Sequence, residues 1–363
     1  MPNAMITGWG KCVPPSVLTN DDLATFMPTS DEWIFSRTGI KQRHISHLPT
    51  SEMAVVAAKK ALAAAGKSGA DLDMIILATC SPDTLIPNIA ATVQAEVGAN
   101  CPAFDINAAC SGFLFGLGMA TAQIENGQCK NVLVIGAEKL SFYIDWSRRE
   151  TAVLFGDGAG AALFEATDSD AGVQAYALNN DPAGREILKA SFGAGIDKMD
   201  TESLNFHLQF EGREIFKRAI AGMGGLSHQV MTKLGLSQDD IDLVIPHQAN
   251  ERIIDTLIGK MKVDPSKAFK NIANYGNTSA ATIPIAICDA LEQGRIKPGQ
   301  NVLSCAFGAG LTSAATVIKW GDRVTPIAES DAQLSPCEQT PLELIEKAVA
   351  HYYKLNPLPD EAK

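Results

Sequence analysis

The chain has 363 residues, of which 46% are hydrophobic and 20% are charged, and this size and composition predict an α/β protein with a large core and more than one domain. The formal net charge of −11 argues against nucleic acid as a partner and requires any acidic ligand to bind at a local basic patch. The eight cysteines form no CxxC pair, so neither a metal site nor a disulfide framework is indicated, and we expect a reducing, cytoplasmic environment.

The N-terminal part is predicted to alternate strands and helices. Met5 to Trp9 is a predicted strand, and no basic segment followed by an apolar run marks a secretory signal. Residues 51–66 form a predicted helix that ends at a glycine, and Asp71 to Ala78 follows as a buried strand. No apolar run reaches membrane-spanning length, so we expect no membrane insertion.

The stretch around Cys110 combines a short apolar strand, a tight corner and a helix rich in Ala, Gly and Leu. Cys110 lies at the corner, where the first amides of the helix have no intrahelical partners. Because the positive end of the helix dipole favours the thiolate, we expect its pKa to lie below the reference of about 8.5. The alternative is a small buried hydrophobic cysteine, and this stretch alone does not separate the two.

The second half of the chain repeats the first at an offset of about 170 residues. The segment beginning at Asp71 matches the one at Asp240, and Asn131-Val-Leu matches Asn301-Val-Leu. An internal repeat of this kind predicts two similar βαβ-rich halves, with a site where they meet.

The proposed boundaries are 1–170 for the N-terminal half and 171–321 for the C-terminal half. The repeat places Cys110 and the segment from Asn274 to Ala281 at equivalent corners. It also places His247 directly after a strand.

The tail, residues 322–363, differs in amino-acid composition from both halves. Residues 322–340 are polar and contain prolines, which is typical of a linker. Thr340-Pro-Leu-Glu343 is a helix start with Thr as N-cap, Pro at the first position and Glu at the third. An amphipathic helix that ends at Pro357 and packs on the body or on a partner subunit is predicted, with one face formed by Leu342, Ile345, Val349 and Tyr352.

Three residues stand out together as a chemical set: Cys110, His247 and Asn277. Each is weak evidence alone, since a lone histidine is more often structural and Asn277 in Gly-Asn-Thr-Ser is first of all a helix cap. Together they match a mechanism in which a thiolate takes an acyl group from a thioester. An imidazole N–H and a carboxamide N–H then stabilise an enolate.

Five motifs in this chain resemble β-ketoacyl-acyl-carrier-protein synthase III, a family of the thiolase superfamily that initiates fatty-acid synthesis. The resemblance covers residues 3–320. It implies an α/β, thiolase-like fold of five αβαβα layers made from two duplicated halves, and a homodimer. The motifs are Thr29-Ser-Asp-Glu-Trp-Ile with Arg37-Thr-Gly-Ile, Ala108-Ala-Cys110-Ser-Gly-Phe, Phe155-Gly-Asp-Gly-Ala-Gly-Ala, Pro246-His-Gln-Ala-Asn250 and Gly276-Asn-Thr-Ser-Ala-Ala.

The resemblance implies an acyltransferase that condenses an acyl-CoA starter with malonyl-acyl-carrier-protein, with loss of CO2. Cys110 is then the acylated nucleophile, and His247 and Asn277 drive decarboxylation. Backbone amides of Cys110 and Ala309 form the oxyanion hole, although the family usually has Gly-Gly-Gly where this chain has Gly308-Ala-Gly310.

The resemblance also assigns the acyl pocket. Phe307 lies beside the catalytic residues. Ile86 stands where the family often has Phe at the dimer interface, and a smaller residue there would admit a longer or branched starter.

The remaining contacts implied by the resemblance concern coenzyme A and the carrier protein, with no cofactor beyond the coenzyme A thioester substrate. Trp33 and Arg149 sandwich the adenine, and Arg148 is the alternative to Arg149 in this contact. Arg37 binds the phosphates of coenzyme A. Asn250 orients the adjacent loop. Arg213 replaces a small polar residue that the family commonly has near the pantetheine arm. The docking patch for acidic carrier protein is Lys217, Arg252 and Lys260.

Other functions are less well supported by the sequence. The Gly156-Asp-Gly-Ala-Gly loop resembles a dinucleotide fingerprint, but the following residues predict a strand where a helix is needed. A related enzyme that joins two long acyl chains, or that only transfers acyl groups, would share the same residues. An inactive partner subunit or a Cys-His hydrolase would leave parts of the catalytic set without a role.

Overall fold

The computed structural model describes residues 1–190 and 208–355, so the predicted helix end at Pro357 lies outside the described residues. The strands are β1 (Asn3–Cys12), β2 (Ser16–Thr19), β3 (Gln42–Ile45), β4 (Met74–Ala78), β5 (Ala103–Ile106), β6 (Asn131–Glu138), β7 (Gly158–Thr167), β8 (Gly172–Asn180), β9 (Leu188–Ala190), β10 (Leu208–Phe210), β11 (Leu243–Pro246), β12 (Asn301–Gly308) and β13 (Thr312–Lys319). The α-helices are α1 (Asn20–Ala24), α2 (Asp31–Thr38), α3 (Thr50–Ala65), α4 (Ala90–Val97), α5 (Gly112–Glu125), α6 (Arg149–Ala152), α7 (Gly212–Leu234), α8 (Glu251–Met261), α9 (Ile272–Tyr275), α10 (Thr282–Glu292) and α11 (Pro341–Leu355).

The repeated sequence forms two sheets with the same strand directions. The first sheet has the order β1-β7-β6-β4-β5 and the second has the order β11-β12-β13-β8. In both, a parallel pair (β4 with β6, β11 with β12) is followed by two antiparallel pairings. Met74 pairs with Val132 just as Leu243 pairs with Val302, so the register also repeats.

Helices cover both sheets and fill the space between them. Helix α3 packs on the outer face of the first sheet and α7 on the outer face of the second, while α5 and α10 each contact strands of both sheets. The result is the five-layer αβαβα arrangement that was predicted. The central layer is apolar because α5 and α10 present buried side chains such as Phe113, Leu117, Ile283 and Ile287.

Close packing of α3 on β1 depends on small residues on both elements. A Cβ atom at Gly8 would lie 2.1 Å from the Ala61 carbonyl oxygen, and one at Gly10 would lie 2.3 Å from that of Ala57. The helix can therefore approach the strand only because these positions carry no side chain. This contact fixes the outer layer of the N-terminal half.

The tail runs along the body and ends in the predicted helix. Arg323 Nη1 donates to the Thr7 carbonyl at 2.9 Å, and the Ile327 amide donates to the Ala64 carbonyl at 2.9 Å. The predicted helix start is confirmed, because the Thr340 amide donates to the Glu343 carboxylate at 2.7 Å. Helix α11 packs on β2 and β3 and buries Ile345 and Tyr352. None of the helices among residues 1–190 and 208–355 is long and apolar enough to cross a bilayer.

Candidate active site

A cavity of about 850 Å³ opens between the two halves and brings the predicted catalytic set together. Cys110, His247 and Asn277 all line it, although they come from three segments far apart in sequence. Six other predicted site residues line the same cavity: Trp33, Arg37, Asn250, Arg252, Phe307 and Ala309.

The two corners predicted to be equivalent have the same local geometry. Asn107 Oδ1 accepts the Ala109 amide at 3.2 Å, and Asn277 Oδ1 accepts the Ser279 amide at 2.8 Å. Ala109 and Ser279 both have positive φ angles, 48° and 51°, which are uncommon for residues with a side chain. Each corner then enters a central-layer helix, so the repeat positions Cys110 at one helix start and Asn277 near the other.

Asn277 is oriented as a hydrogen-bond donor toward the cavity. Its Oδ1 is occupied by the Ser279 amide, which leaves Nδ2 available to a substrate. Its backbone is also fixed, because the Gly156 amide donates to the Asn277 carbonyl at 3.1 Å. A Cβ at Gly156 would lie 2.4 Å from the Tyr275 carbonyl oxygen, so this glycine serves close packing. The segment continues as β7, as the sequence predicted in place of a nucleotide-binding helix.

His247 is a buried, neutral imidazole at the end of β11. Its amide donates to the Cys305 carbonyl at 2.8 Å, and its ring Nδ1 lies 2.7 Å from Thr282 Oγ1. Burial lowers the pKa of His247 to about 3, because desolvation disfavours the imidazolium. At neutral pH the ring therefore carries one proton and can donate one hydrogen bond without being charged.

The expected low pKa of Cys110 is wrong for this structure. Burial raises the pKa of the Cys110 thiol to about 12, because removal from water disfavours the thiolate more than hydrogen bonds from Ser279 and the backbone favour it. A helix terminus typically stabilises a nearby charge by about 0.3–1 kcal/mol, and by about 2 kcal/mol at most, whereas burial can shift a pKa by several units. The resting nucleophile is thus a thiol.

The end of β12, which leads to the predicted oxyanion-hole residue Ala309, lies in close contact with Cys110. A Cβ at Gly308 would lie 2.7 Å from the Cys110 amide nitrogen. Thr312 Oγ1 donates to the Ala108 carbonyl at 2.9 Å and holds the two segments together. Ala309 follows Gly308 and lines the cavity, and its amide is retained despite the departure from the Gly-Gly-Gly pattern.

At the cavity entrance, two guanidinium groups contact one aromatic ring. The Cζ atoms of Arg37 and Arg149 lie 4.6 and 4.5 Å from the Trp33 ring centroid. Arg148 instead pairs with Asp145 at 3.2 Å, so Arg149 is the arginine that contacts Trp33. Trp33 and Arg37 both lie on α2, four residues apart, so their side chains share one face of that helix.

Asn250 links the entrance to the catalytic segment. Its Oδ1 accepts the Arg252 amide at 2.9 Å as the N-cap of α8, and its Nδ2 donates to the Arg37 carbonyl at 3.1 Å. The residue therefore ties α8 to α2 three positions after His247, which fits the loop-orienting role that was expected.

The two predicted acyl-pocket residues lie in different parts of the structure. Phe307 is 7% exposed and lines the cavity, whereas Ile86 lies outside the cavity of this single chain and is 89% exposed. The predicted docking residues Lys217, Arg252 and Lys260 are all exposed, on the neighbouring helices α7 and α8.

Sequence reasoning missed two polar groups at the site. Cys80 lines the cavity, and its Sγ lies 3.3 Å from the fully buried carboxylate of Glu138. Thr282 contacts the ring of His247. Cys80 gave no signal because it follows an apolar strand, and Thr282 gave none because it lies at a helix start 35 positions from His247. In residues 1–190 and 208–355, no cluster of three His, Cys, Asp or Glu side chains could hold a metal ion.

Comparison with known proteins identifies the family. Residues 104–182 match the family described as 3-oxoacyl-[acyl-carrier-protein] synthase III, and residues 231–320 match its C-terminal part. The chain is 55% identical over 350 residues to β-ketoacyl-[acyl-carrier-protein] synthase III 2 of Vibrio cholerae, covering 96% of this chain and 97% of that protein. It is 45% identical over 325 residues to synthase III of Roseiflexus castenholzii, covering 87% and 98%.

A solved structure agrees with these relatives. The crystal structure of 3-oxoacyl-[acyl-carrier-protein] synthase III from Aquifex aeolicus has a TM-score of 0.83 and 43% identity, covering 87% of this chain and all of that one. The Aquifex and Roseiflexus proteins are covered almost completely while part of this chain is left over, which indicates that this chain has additional residues. The C-terminal family match ends at residue 320, directly before the tail. The chain belongs to the 3-oxoacyl-[acyl-carrier-protein] synthase III family.

Proposed function

We propose that this protein condenses an acyl-CoA with malonyl-acyl-carrier-protein through an acyl-Cys110 intermediate, giving 3-oxoacyl-acyl-carrier-protein, coenzyme A and CO2 at the start of fatty-acid synthesis. The observation that carries the proposal is the single cavity that holds Cys110 together with the neutral donors of His247 and Asn277 in a chain of this family.

In the first half-reaction Cys110 takes the acyl group. Its Sγ attacks the thioester carbonyl carbon, a new C–S bond forms and the C–S bond to coenzyme A breaks. The proton of the Cys110 thiol leaves on the coenzyme A thiol, so the step is neutral in protons. The amides of Cys110 and Ala309 hold the oxyanion that develops on the carbonyl oxygen. A thiol that is protonated at rest must lose its proton in order to react. Because that proton leaves on the coenzyme A thiol, Cys110 becomes a nucleophile only when a thioester is bound.

In the second half-reaction His247 and Asn277 handle the malonyl group. The bond between the malonyl carboxylate and the α-carbon breaks, CO2 leaves and the electron pair forms an enolate on the thioester. Donors from His247 and Asn277 stabilise the enolate oxygen, and both are neutral before and after the step. The α-carbon attacks the acyl carbon on Cys110, and the released thiolate takes a proton from solvent.

Residues at the cavity entrance and on the nearby surface support the proposed binding of coenzyme A and docking of the carrier protein. Trp33 and Arg149 would hold the adenine of coenzyme A between them, with Arg37 on its phosphates, after Arg149 moves off the ring. Malonyl-acyl-carrier-protein would dock on Lys217, Arg252 and Lys260, at or near the cavity mouth.

We further propose a homodimer and a cytoplasmic location, with no cofactor beyond the thioester substrates. The exposed apolar side chains of Leu85 and Ile86 support a partner surface. All eight cysteines are free thiols, which supports a reducing compartment.

The test is intact and peptide mass spectrometry after incubation with acyl-CoA, followed by addition of malonyl-acyl-carrier-protein. We expect an acyl adduct on Cys110 that disappears as 3-oxoacyl-acyl-carrier-protein forms. Cys110→Ala should abolish both, whereas Cys80→Ala, which changes a thiol of the same cavity, should retain the adduct. An adduct on another residue, or none, would reject the proposal. Product formed from two acyl-CoA molecules without malonyl-acyl-carrier-protein would favour the acyl-chain condensing alternative.

A further inference from the structure

The ring of His247 has one nitrogen fixed by the protein and one left for the substrate. Nδ1 lies 2.7 Å from Thr282 Oγ1, and Thr282 is a buried residue at the first position of α10. Since the ring lines the cavity and Nδ1 is occupied, Nε2 is the nitrogen available to a bound thioester. Whether Nε2 donates or accepts depends on where the single ring proton lies.

The Thr282 hydroxyl has one proton and two acceptors within reach. One acceptor is His247 Nδ1, and the other is the Ser279 carbonyl at 3.0 Å. The Ser279 carbonyl already accepts the backbone N–H of Thr282, so it does not depend on the hydroxyl. An unprotonated Nδ1, buried 2.7 Å from Oγ1, has the hydroxyl as its hydrogen-bond donor.

We propose that Thr282 is a positioning residue: its hydroxyl donates to His247 Nδ1 and so keeps the ring proton on Nε2, where it can donate to the malonyl thioester oxygen. The inference rests on the proposed function, because only an enolate-forming step needs this donor. The duplicated fold supplies the hydroxyl from the helix that follows the Asn277 corner. One short segment, residues 277–282, therefore orients both donors of the site.

The opposite arrangement, with the ring proton on Nδ1, gives the site a different chemistry. If the hydroxyl donates to the Ser279 carbonyl, Nδ1–H donates to Oγ1 and Nε2 presents a lone pair to the cavity. A lone pair there would repel an enolate oxygen and would act as a base. The two arrangements have the same heavy-atom positions, so they are separated by the proton and by what the site can catalyse.

The matched variants are Thr282→Val, which keeps the branched shape and removes the hydroxyl, and Thr282→Ser, which keeps the hydroxyl. Two half-reactions are measured separately: acylation of Cys110 by acyl-CoA, and CO2 release from malonyl-acyl-carrier-protein. We expect Thr282→Val to slow CO2 release by roughly tenfold to a hundredfold, as for other residues that orient a functional imidazole, and to change acylation by less than about threefold. Thr282→Ser should restore CO2 release. A purely structural defect would slow both half-reactions alike and would overturn the proposal, as would a Thr282→Val enzyme with normal CO2 release.

A direct readout of the proton does not need turnover. In protein labelled with ¹⁵N-histidine, the His247 signals, assigned with His247→Gln, should report a protonated Nε2 in the wild type and in Thr282→Ser. Thr282→Val should give a mixture of the two tautomers. A wild-type spectrum with the proton on Nδ1 overturns the inference even if the enzyme is active. A wild type that neither acylates Cys110 nor releases CO2 would instead reject the proposed function, while the tautomer would still be measured.

Discussion

At the scale of single residues, the site combines a thiol and an imidazole that are both neutral at rest. Two effects compete at Cys110: the helix start favours the thiolate, and burial favours the thiol. Burial is the larger effect, so the pKa rises. Sequence alone supplied the first effect, because a helix start is visible as a local pattern, whereas burial depends on segments that come from both halves.

This balance predicts how the reactivity of Cys110 depends on pH in the absence of substrate. The thiolate is the species that is alkylated, and below the pKa its fraction rises about tenfold for each pH unit. With a pKa of about 12, alkylation of Cys110 by iodoacetamide should rise steadily from about pH 7 to 10 without a plateau. Peptide mass spectrometry measures the rate, with Cys110→Ala as background. A plateau near the reference pKa would restore the original expectation of an acidic thiol.

Gly308 gives a second prediction at this scale. Because a Cβ there would lie 2.7 Å from the Cys110 amide nitrogen, Gly308→Ala must push the end of β12 away from Cys110 and so disturb the proposed oxyanion hole. We expect Cys110 acylation to fall by about a hundredfold or more, the usual cost of losing an oxyanion donor. Gly225→Ala is the control, since no atom lies within 4 Å of a Cβ at that helical position. Coenzyme A binding and thermal unfolding establish that the variant is folded, and a folded variant with normal acylation would contradict the assigned hole.

At the scale of elements, the duplication explains why much of the site could be predicted. Matching Asp71 with Asp240 and Asn131 with Asn301 was enough to place Cys110 and Asn277 at equivalent corners, and the structure has both. The contact of Thr282 with His247 could not be predicted, because it joins a helix start to the end of a strand 35 positions away. Which of Arg148 and Arg149 reaches Trp33 depends on side-chain direction, which two adjacent arginines in a sequence do not reveal.

Helix α11 was predicted from its cap and its apolar face, and its packing yields a stability test. Ile345 is 3% exposed against the body, so Ile345→Ala should lower the free energy of unfolding by about 2–5 kcal/mol. Glu346→Ala, an exposed neighbour on the same helix, should change it by less than about 0.5 kcal/mol. Urea unfolding of the full chain compares the two. Equal stabilities would mean that α11 does not stay packed on β2 and β3 in solution.

At the scale of the whole molecule, the acidic surface and the basic entrance fit a protein that must attract acidic substrates locally. Although the net charge is −11, Arg37 and Arg252 line the cavity and Arg149 contacts the Trp33 ring beside them. The five-layer fold was expected from the family resemblance, and the repeat predicted its two similar halves. Of the two expected acyl-pocket residues, Phe307 lines the cavity, whereas the exposed Ile86 lies outside it and, at the expected dimer interface, would act on a partner's site.

If Ile86 acts on a partner's site, the choice of acyl substrate depends on the formation of a dimer. In a homodimer, the exposed Leu85–Ile86 loop of one protomer would border the acyl pocket of the other, and a larger side chain would shorten that pocket. Ile86→Phe should then shift the preferred acyl-CoA toward shorter chains in a panel of roughly two to ten carbons, because each excluded methylene costs about 1–3 kcal/mol of transition-state binding. Leu85→Phe, with the same change at the adjacent exposed position, is the control and should leave the profile in place. Light scattering first establishes the dimer. A dimeric Ile86→Phe enzyme with the wild-type profile would remove Ile86 from the acyl pocket, and a monomeric wild type with full activity would remove the partner from the site altogether.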